Sequence, residues 1–342
     1  MEKKIFVIYT GGTICTTIKD GQKSTDPTAA AALIEFYKNS DSFCKDDVHL
    51  ESGKQFNILS ENMTVKKWNE IIDYLKETLP TLNDYCGIII AHGTDTLAYS
   101  SALLSQLLSG ISIPVFLVSS NNSIMLENGE KNPDANGCEN FKTAVEFIYT
   151  GINPQVYVTY KNPKDNRMYI HFGENLIQCA PYDDNFYSSN AIDVTDFKMP
   201  ETDCSQNALV DVMDIPIMKL RKPLCDCVLK VSPYVGLNYD NFKLKGVRAV
   251  LHTTYHSGTA CTEKTSENPE YTNSSILHFI KKCSKKGIDF YFAPSKSGEE
   301  ETVYASVPFI ENFEVNGRKP IFEFGTTEEF LYTRLLISYS QK

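Results

Sequence analysis

Residues 87–91, Gly-Ile-Ile-Ile-Ala, are the stretch that decides the fold class of this 342-residue chain. A strand that is apolar at every position, instead of at alternate positions, is typical of a parallel sheet covered by helices on both faces. Residues 97–109 follow with leucines at near-helical spacing, and residues 113–118 form the next apolar run. Strand, helix and strand in this order predict an α/β fold with a mostly parallel sheet between two layers of helices.

The same alternation continues on both sides of this stretch. Pro27, after a candidate N-cap at Asp26, opens one helical pattern, and Thr64 is placed to cap the next. The further predicted elements are strands over residues 4–9 and 56–59, helices over residues 28–37, 65–78 and 141–149, and extended runs over residues 156–160 and 168–172. A turn-rich segment between the last two runs predicts a hairpin.

The length of the chain suits two domains, and its periodicity divides it accordingly. We expect a larger N-terminal α/β domain over residues 1–190. Residues 191–222 lack a steady period and contain Pro200 and Pro216, so we predict a linker there. Residues 223–342 resume the alternation, with extended runs at 227–231, 247–252 and 288–292 and a helix over 274–286, which predicts a smaller α/β domain.

Charge and hydropathy exclude several classes of protein. The formal net charge of −10 disfavours a broad nucleic-acid surface, because phosphate binding depends on Lys and Arg. The apolar run at residues 5–9 is shorter than a signal-peptide core, and no later run is long enough to span a bilayer. We therefore expect a cytoplasmic protein without a nucleic-acid or membrane partner.

The ten cysteines have neither the spacing of a zinc site nor that of a disulfide framework. Only Cys225 and Cys227 are close neighbours, and the chain contains no C-x-x-C pair. His252 and His256 are four residues apart near Cys261, but their segment follows a strand and has the composition of a loop. We predict reduced thiols and no metal, and this loop is a lesser candidate for contributing to a substrate site.

Two loops that directly follow strands carry polar residues. In an open parallel sheet, ligands bind in the crevice at the carboxyl ends of the strands. The first loop is Thr-Gly-Gly-Thr-Ile over residues 10–14, in which adjacent glycines allow a tight turn and Thr13 presents a hydroxyl. It matches neither a dinucleotide nor a Walker-type phosphate motif, and an ordinary turn is the alternative interpretation.

The second loop, His-Gly-Thr-Asp-Thr over residues 92–96, follows the decisive strand and begins a helix. Its adjacent hydroxyl and carboxylate, Thr94 and Asp95, are suited to activating a nucleophile and holding a substrate ammonium. The alternative is plain helix capping, with His92 packed in the core.

Taken together, the two loops resemble the paired signature motifs of the asparaginase/glutaminase family. The resemblance is strongest over residues 1–150 and weak in the last third of the chain. It implies a two-domain α/β protein that hydrolyses L-asparagine, or L-glutamine, without a cofactor. It also implies a homodimer or homotetramer.

Three residues match the catalytic positions of that family. By resemblance, Thr13 is the nucleophile, Thr94 the second catalytic threonine, and Asp95 the carboxylate that binds the α-ammonium of the substrate. The mechanism implied is acyl transfer, in which a threonine hydroxyl attacks the side-chain amide, ammonia leaves, and water cleaves the acyl-enzyme.

Substrate binding is expected at Thr94, Asp95 and three further positions. Ser60 and Glu61 match the family pair that grips the α-carboxylate and the α-ammonium, although a solvated turn is the alternative. Gly12 is expected to help through the backbone amides of its loop. Residues 136–140, Asn-Gly-Cys-Glu-Asn, are a further trace of the family pattern.

One departure from the family concerns the catalytic base. The family's lysine lies four residues after an arginine, and counting from Arg167 puts His171 at that position. A neutral histidine is a competent base near pH 7, so His171 is predicted to replace the lysine. Lys161 and Lys164 are alternatives if the hairpin register slips, and a histidine packed against the sheet is another.

Two other departures affect the substrate. Residues 18–28 lack the family's loop tyrosine, for which Tyr182, Tyr187 and Tyr255 are candidate replacements, and residues 119–122 differ from the usual segment. A catalytically silent or specificity-shifted relative that binds an amino acid therefore remains an alternative. So does a glutaminase-type amidohydrolase, including one that supplies ammonia to a tRNA-linked amidotransferase.

Overall fold

The computed structural model describes residues 2–19, 22–25, 27–197, 212–265, 271–295 and 302–342. The chain divides into two compact units, Met1–Arg221 and Lys222–Lys342. The candidate cap Asp26 and residues 198–211 of the expected linker lie outside the described residues. The domain limits given above remain predictions.

The first unit contains eleven of the strands seen in the described residues. Its strands are β1 (Lys3–Gly11), β2 (Thr16–Lys19), β3 (Gln22–Thr25), β4 (Val48–Ile58), β5 (Tyr85–Ala91), β6 (Val115–Val118), β7 (Val156–Asn162), β8 (Arg167–Phe172), β9 (Leu176–Ile177), β10 (Tyr187–Ser188) and β11 (Ile192–Asp193). Its helices are α1 (Pro27–Lys38), α2 (Val65–Thr78), α3 (Leu97–Leu107), α4 (Gly137–Tyr149) and α5 (Pro216–Lys219).

Seven of these strands form one sheet, in the order β11-β8-β7-β6-β5-β1-β4. The five strands from β7 to β4 are parallel, whereas β8 and β11 run antiparallel to their neighbours. The α/β fold with a mostly parallel sheet is thus confirmed. The predicted hairpin is β7 and β8, with Val158 opposite His171.

Both faces of the sheet are covered, as the uninterrupted apolar run at residues 87–91 requires. On one face Ile89 and Phe116 pack with Phe141 of α4 in a single buried cluster. On the other face lies α2, which begins at the predicted cap Thr64, whose side chain accepts from the Lys67 N–H. Its buried Trp68 lines a small cavity with Ile90 of β5 and residues of α3. Burying a large apolar side chain contributes about 1.5–3 kcal/mol, so these layers supply the main stabilisation of the first unit.

The second unit has its own four-stranded parallel sheet, ordered β12-β13-β14-β15. Its elements are β12 (Val228–Val231), β13 (Ala249–His252), α6 (Ile276–Ser284), β14 (Asp289–Ser295), α7 (Ser306–Glu311), β15 (Ile321–Phe324) and α8 (Glu328–Gln341). Helix α6 packs Phe279 and Ile280 on one face of the sheet, and α8 packs Leu331 and Leu335 on the other. This unit is therefore also α/β.

No helix of the described residues is long and apolar enough to cross a lipid bilayer. No cluster of three or more His, Cys, Asp or Glu residues there is arranged to hold a metal ion.

Candidate active site

Three loops meet at one edge of the large sheet. They follow β1, β4 and β5, which are adjacent and parallel, so their carboxyl ends lie side by side. Gly12 comes after β1, Ser60 after β4 and Gly93 after β5. This is the edge at which open parallel sheets bind ligands.

The loops are in direct contact through two glycines. Gly12 has a φ of +78°, and a Cβ placed on it would overlap the Cα of Gly93. A Cβ placed on Gly93 would overlap the Cβ and Oγ of Ser60 and would lie 3.0 Å from the Cα of Gly12. Because only glycine fits at both positions, the residues that follow them, Thr13 and Thr94, belong to touching loops. Both threonines are partly exposed.

The loop of Thr13 is anchored on its far side. Thr13 begins a single 3₁₀ turn, and its carbonyl accepts a hydrogen bond of 2.8 Å from the Thr16 hydroxyl. The Thr16 hydroxyl also lies 2.8 Å from the Oγ of Ser123, in the segment that follows β6. The loop of Thr13 is therefore held between the ends of β5 and β6.

Asp95 is held in place by Ser60. The buried Ser60 hydroxyl donates to Asp95 Oδ2 over 2.9 Å and accepts from the Asp95 N–H over 3.3 Å. Thr96 completes the clamp, because its hydroxyl donates to the Ser60 carbonyl over 3.1 Å. Asp95 itself is exposed, as is Glu61 in the turn that begins at Ser60. An exposed carboxylate with a fixed orientation is suited to binding an ammonium group.

These contacts alter the expected roles of two binding residues. A hydroxyl can donate one hydrogen bond, and Ser60 donates its hydrogen bond to Asp95. Ser60 therefore acts through that carboxylate instead of donating to a substrate carboxylate. The N–H of Gly12 donates to the Ile58 carbonyl over 2.9 Å. Gly12 therefore shapes the site by its close approach to Gly93.

His171 lies apart from both threonines. It is buried on β8, its Nδ1 lies 2.9 Å from Ser188 Oγ, and its Nε2 has no hydrogen-bond partner. Burial lowers the pKa of His171 to about 4, so the imidazole is neutral at pH 7. Strands β6 and β7 separate β8 from β5, which corresponds to about 14 Å across the sheet at about 4.8 Å per strand. The structure does not place His171 in hydrogen-bond contact with either threonine.

The alternative bases and tyrosines also have identifiable positions. Lys161 forms an ion pair of 2.6 Å with Glu139, and the hairpin keeps the register that puts Lys161 opposite Met168. Tyr182 is fully exposed and Tyr187 about half exposed. Tyr255 belongs to the second unit.

Gln178 and Asn140 position the ends of strands near the site, and the sequence identified only Asn140, as part of a segment. Gln178 donates to the Thr94 carbonyl over 2.9 Å and accepts from the Ala98 N–H over 3.2 Å, which ties it to the start of α3. No sequence motif marks Gln178. Asn140, the last residue of the noted segment 136–140, donates to the Ser119 carbonyl over 2.9 Å and accepts from the Lys161 N–H over 2.8 Å. It thereby joins the ends of β6 and β7.

His252, one member of the candidate histidine pair, is engaged within the second unit. His252 is buried, and its Nε2 lies 2.7 Å from Tyr239 Oη while its Nδ1 donates to the Thr253 carbonyl. Both ring nitrogens are thus used within the core of this unit.

The family described as "Asparaginase, N-terminal" matches residues 4–197. Two solved structures share the fold. The thermostable L-asparaginase from Thermococcus kodakarensis aligns with a TM-score of 0.67 at 20% identity, over 99% of this chain and 93% of that one. L-asparaginase I from Vibrio cholerae aligns with a TM-score of 0.65 at 19% identity, over 100% and 94%.

Two relatives in sequence are amidotransferase subunits instead of L-asparaginases. One subunit of the glutamyl-tRNA(Gln) amidotransferase from Saccharolobus solfataricus is 25% identical over 294 residues, which are 84% of this chain and 61% of that protein. Its counterpart from Sulfolobus acidocaldarius is 36% identical over 121 residues, 35% of this chain and 26% of that protein. The chain thus spans less than two thirds of the length of either relative.

Proposed function

Since this chain belongs to the asparaginase/glutaminase family, a family of amidohydrolases, we propose that it cleaves the side-chain amide of L-asparagine to L-aspartate and ammonia. The observation that supports this proposal best is the contact between the Gly12 and Gly93 loops, which brings two threonines to one ligand-binding edge. Neither threonine is buried in the core, and both residues are partly exposed.

The reaction we propose is acyl transfer in two steps. The Thr13 hydroxyl attacks the amide carbon, the tetrahedral intermediate expels ammonia, and water then cleaves the ester to release aspartate. Thr94 supplies the second hydroxyl for proton transfer at the same carbonyl. A threonine hydroxyl is a weak nucleophile, so a base must take its proton.

Asp95 is the proposed partner of the substrate's α-ammonium. Its carboxylate is oriented by Ser60 and is exposed, and Glu61, in the turn that begins at Ser60, adds a second exposed carboxylate. Two carboxylates near one cation explain why the site would prefer a free amino acid over a neutral amide.

His171 is the proposed base. Its imidazole is neutral at pH 7 and its Nε2 is unpartnered, so the nitrogen lone pair is available, and the pKa of about 4 makes this imidazole a weak base. Replacing it tests this role directly. His171→Ala should lower kcat by about 10²–10⁴-fold, the usual contribution of a general base, whereas unchanged turnover would remove His171 from the mechanism.

The decisive experiment measures ammonia release from L-asparagine and L-glutamine side by side. Thr94→Ser retains a hydroxyl and should keep most of the activity, whereas Thr94→Val, which has nearly the same shape without the hydroxyl, should abolish it at unchanged stability. Normal turnover by Thr94→Val would refute the site. Binding of aspartate, seen as heat stabilisation, without any ammonia would instead indicate a catalytically silent amino-acid binder.

A second function is favoured by the names of the curated relatives, which are amidotransferase subunits. In that case the chain hydrolyses an amide to supply ammonia to a partner acting on tRNA. Glutamine hydrolysis that appeared only with such a partner and tRNA would support this function over the first.

Light scattering of the purified protein tests the proposed homodimer or homotetramer.

A further inference from the structure

Charge is unevenly divided between the two units. Residues 1–221 carry a formal net charge of −11 and residues 222–342 one of +1, although the whole chain carries −10. The imbalance is sharper within the second unit. Residues 239–248, 281–289 and 314–319 together contain nine Lys and Arg residues and only three carboxylates. The net charge of the whole chain therefore conceals a strongly basic region.

These three segments meet at one edge of the second sheet. They lead into β13, β14 and β15, which are adjacent and parallel, so their amino ends lie side by side. Ala249 is paired with Asp289, whose N–H donates to the Arg248 carbonyl over 3.2 Å. The Ser284 hydroxyl at the end of α6 donates to the Val315 carbonyl over 2.7 Å. We call the surface formed by the three segments the basic edge.

Most cations of the basic edge are free to contact a partner. Asp240 forms an ion pair of 3.2 Å with Lys282, and Asp289 forms one of 2.7 Å with Arg318. The third carboxylate, Glu314, is exposed. Six exposed lysines of this edge have no ion-pair partner among the residues that the structure describes, namely Lys243, Lys245, Lys281, Lys285, Lys286 and Lys319.

The helix dipole explains only some of these lysines. Lys281 and Lys282 lie in the last turn of α6, where a cation stabilises the helix. Lys243, Lys245 and Lys319 lie in turns outside any helix. Because the effect of the dipole falls off within one turn, it gives no reason for three exposed cations at these positions.

The composition of the basic edge favours a polyanion over a protein as its partner. Protein interfaces are enriched in aromatic residues, Met and Arg and are depleted of Lys. The basic edge has seven lysines and two arginines, and its apolar residues Leu244 and Ile288 are buried. Lysine is a point charge on a flexible stem, which suits it to phosphate groups.

The dimensions of the basic edge also match a phosphate backbone. Neighbouring strands lie about 4.8 Å apart, so the amino ends of three strands extend over about 10 Å. One strand of a DNA duplex carries a charge about every 3.4 Å along its axis, which gives about three phosphates over the same length. We propose that the basic edge binds the phosphate backbone of a nucleic acid. Phosphate contacts carry no sequence information, so this binding is independent of nucleotide sequence.

Fluorescence anisotropy with two labelled probes tests the proposal. The probes are a tRNA transcript and a DNA duplex with the same number of phosphates. The wild-type protein should bind at about 50 mM salt, and the logarithm of its binding constant should fall linearly with that of the salt concentration, with a slope of about −3 to −5. Equal binding of both probes supports recognition of the backbone alone, and tighter binding of the tRNA identifies RNA as its source.

A pair of adjacent lysines in each unit provides a variant and its matched control. Lys285→Ala/Lys286→Ala changes the basic edge, whereas Lys66→Ala/Lys67→Ala makes the same change of net charge on α2. The first should weaken binding about tenfold or more at about 50 mM salt and reduce the salt slope by about 2, and the control should change neither. Lys243→Ala/Lys245→Ala should act like the first, which keeps the test valid if one variant misfolds.

Three results would overturn the proposal. The first is a wild-type protein that binds neither probe. The second is an equal loss of binding in the control, because binding would then follow net charge and not the basic edge. The third is a changed oligomeric state of Lys285→Ala/Lys286→Ala without any nucleic-acid binding, which would assign the edge to contact with a second copy. Ammonia release should be unchanged in all variants, so this inference and the proposed amidase function stand or fall separately.

Discussion

Replacing Gly93 by alanine tests whether the site depends on contact between its loops. Gly93 has a φ of −81°, a backbone conformation that alanine adopts readily, so any cost must come from its surroundings. The new methyl would overlap the Cβ and Oγ of Ser60 and press on Gly12 Cα at 3.0 Å. The atom that must move first is therefore the oxygen that orients Asp95.

Two effects set the size of the destabilisation expected for Gly93→Ala. Forcing a methyl into packed surroundings costs about 1–3 kcal/mol. Losing the Ser60 hydrogen bond to a carboxylate costs about 1.5–3 kcal/mol, and the lower end applies because Asp95 is exposed. We expect Gly93→Ala to lower the free energy of unfolding by about 3 kcal/mol, and to raise KM for asparagine at least tenfold.

Urea unfolding and steady-state kinetics measure the two effects separately. The double variant Gly93→Ala/Ser60→Gly removes the Ser60 side chain and should recover much of the stability but none of the affinity, because Asp95 stays unanchored. Should Gly93→Ala match the wild type within about 0.5 kcal/mol and keep its KM, the close packing of the three loops would be wrong.

Three further predictions follow from particular contacts. Gln178→Ala frees the Thr94 carbonyl and should lower kcat several-fold in ammonia assays, whereas Gln106→Ala, which loses a bond to the Ala102 carbonyl within α3, should not. Asn140→Ala should lower the free energy of unfolding by about 2–4 kcal/mol in urea titrations, because it leaves the Ser119 carbonyl and the Lys161 N–H buried without partners; an unchanged midpoint would contradict this. Burial lowers the pKa of His92, His171 and His252 to about 4, below the unfolded value of about 6.5. The unfolded chain therefore binds more protons, so the free energy of unfolding should be highest above pH 6.5 and fall as the pH drops toward 4, by up to about 3 kcal/mol per histidine. His171→Gln should reduce this dependence of stability on pH in urea titrations. An unchanged pH dependence would show that His171 is already charged in the folded state.

Much of the fold was determined by local sequence. The uninterrupted apolar run at residues 87–91 specified a doubly covered strand, and α2 spans Val65–Thr78 as its cap and periodicity predicted. Such features follow from neighbouring residues alone, because helix capping and hydrophobic periodicity act within a few positions. The same reasoning located the two loops, since each comes directly after a strand.

The tertiary structure decided how the polar groups are partnered. The sequence placed Ser60 and Asp95 at one site. Only the contact between their loops shows that the Ser60 hydroxyl donates its one hydrogen bond to Asp95. Counting from Arg167 identified His171, but the sequence did not give the distance of His171 from β5, because strand order depends on pairing between distant segments. The face on which His171 lies was likewise decided by the hairpin register that pairs it with Val158. A one-residue shift in register would turn each of these side chains to the opposite face, so their roles were fixed by long-range pairing and not by the local sequence.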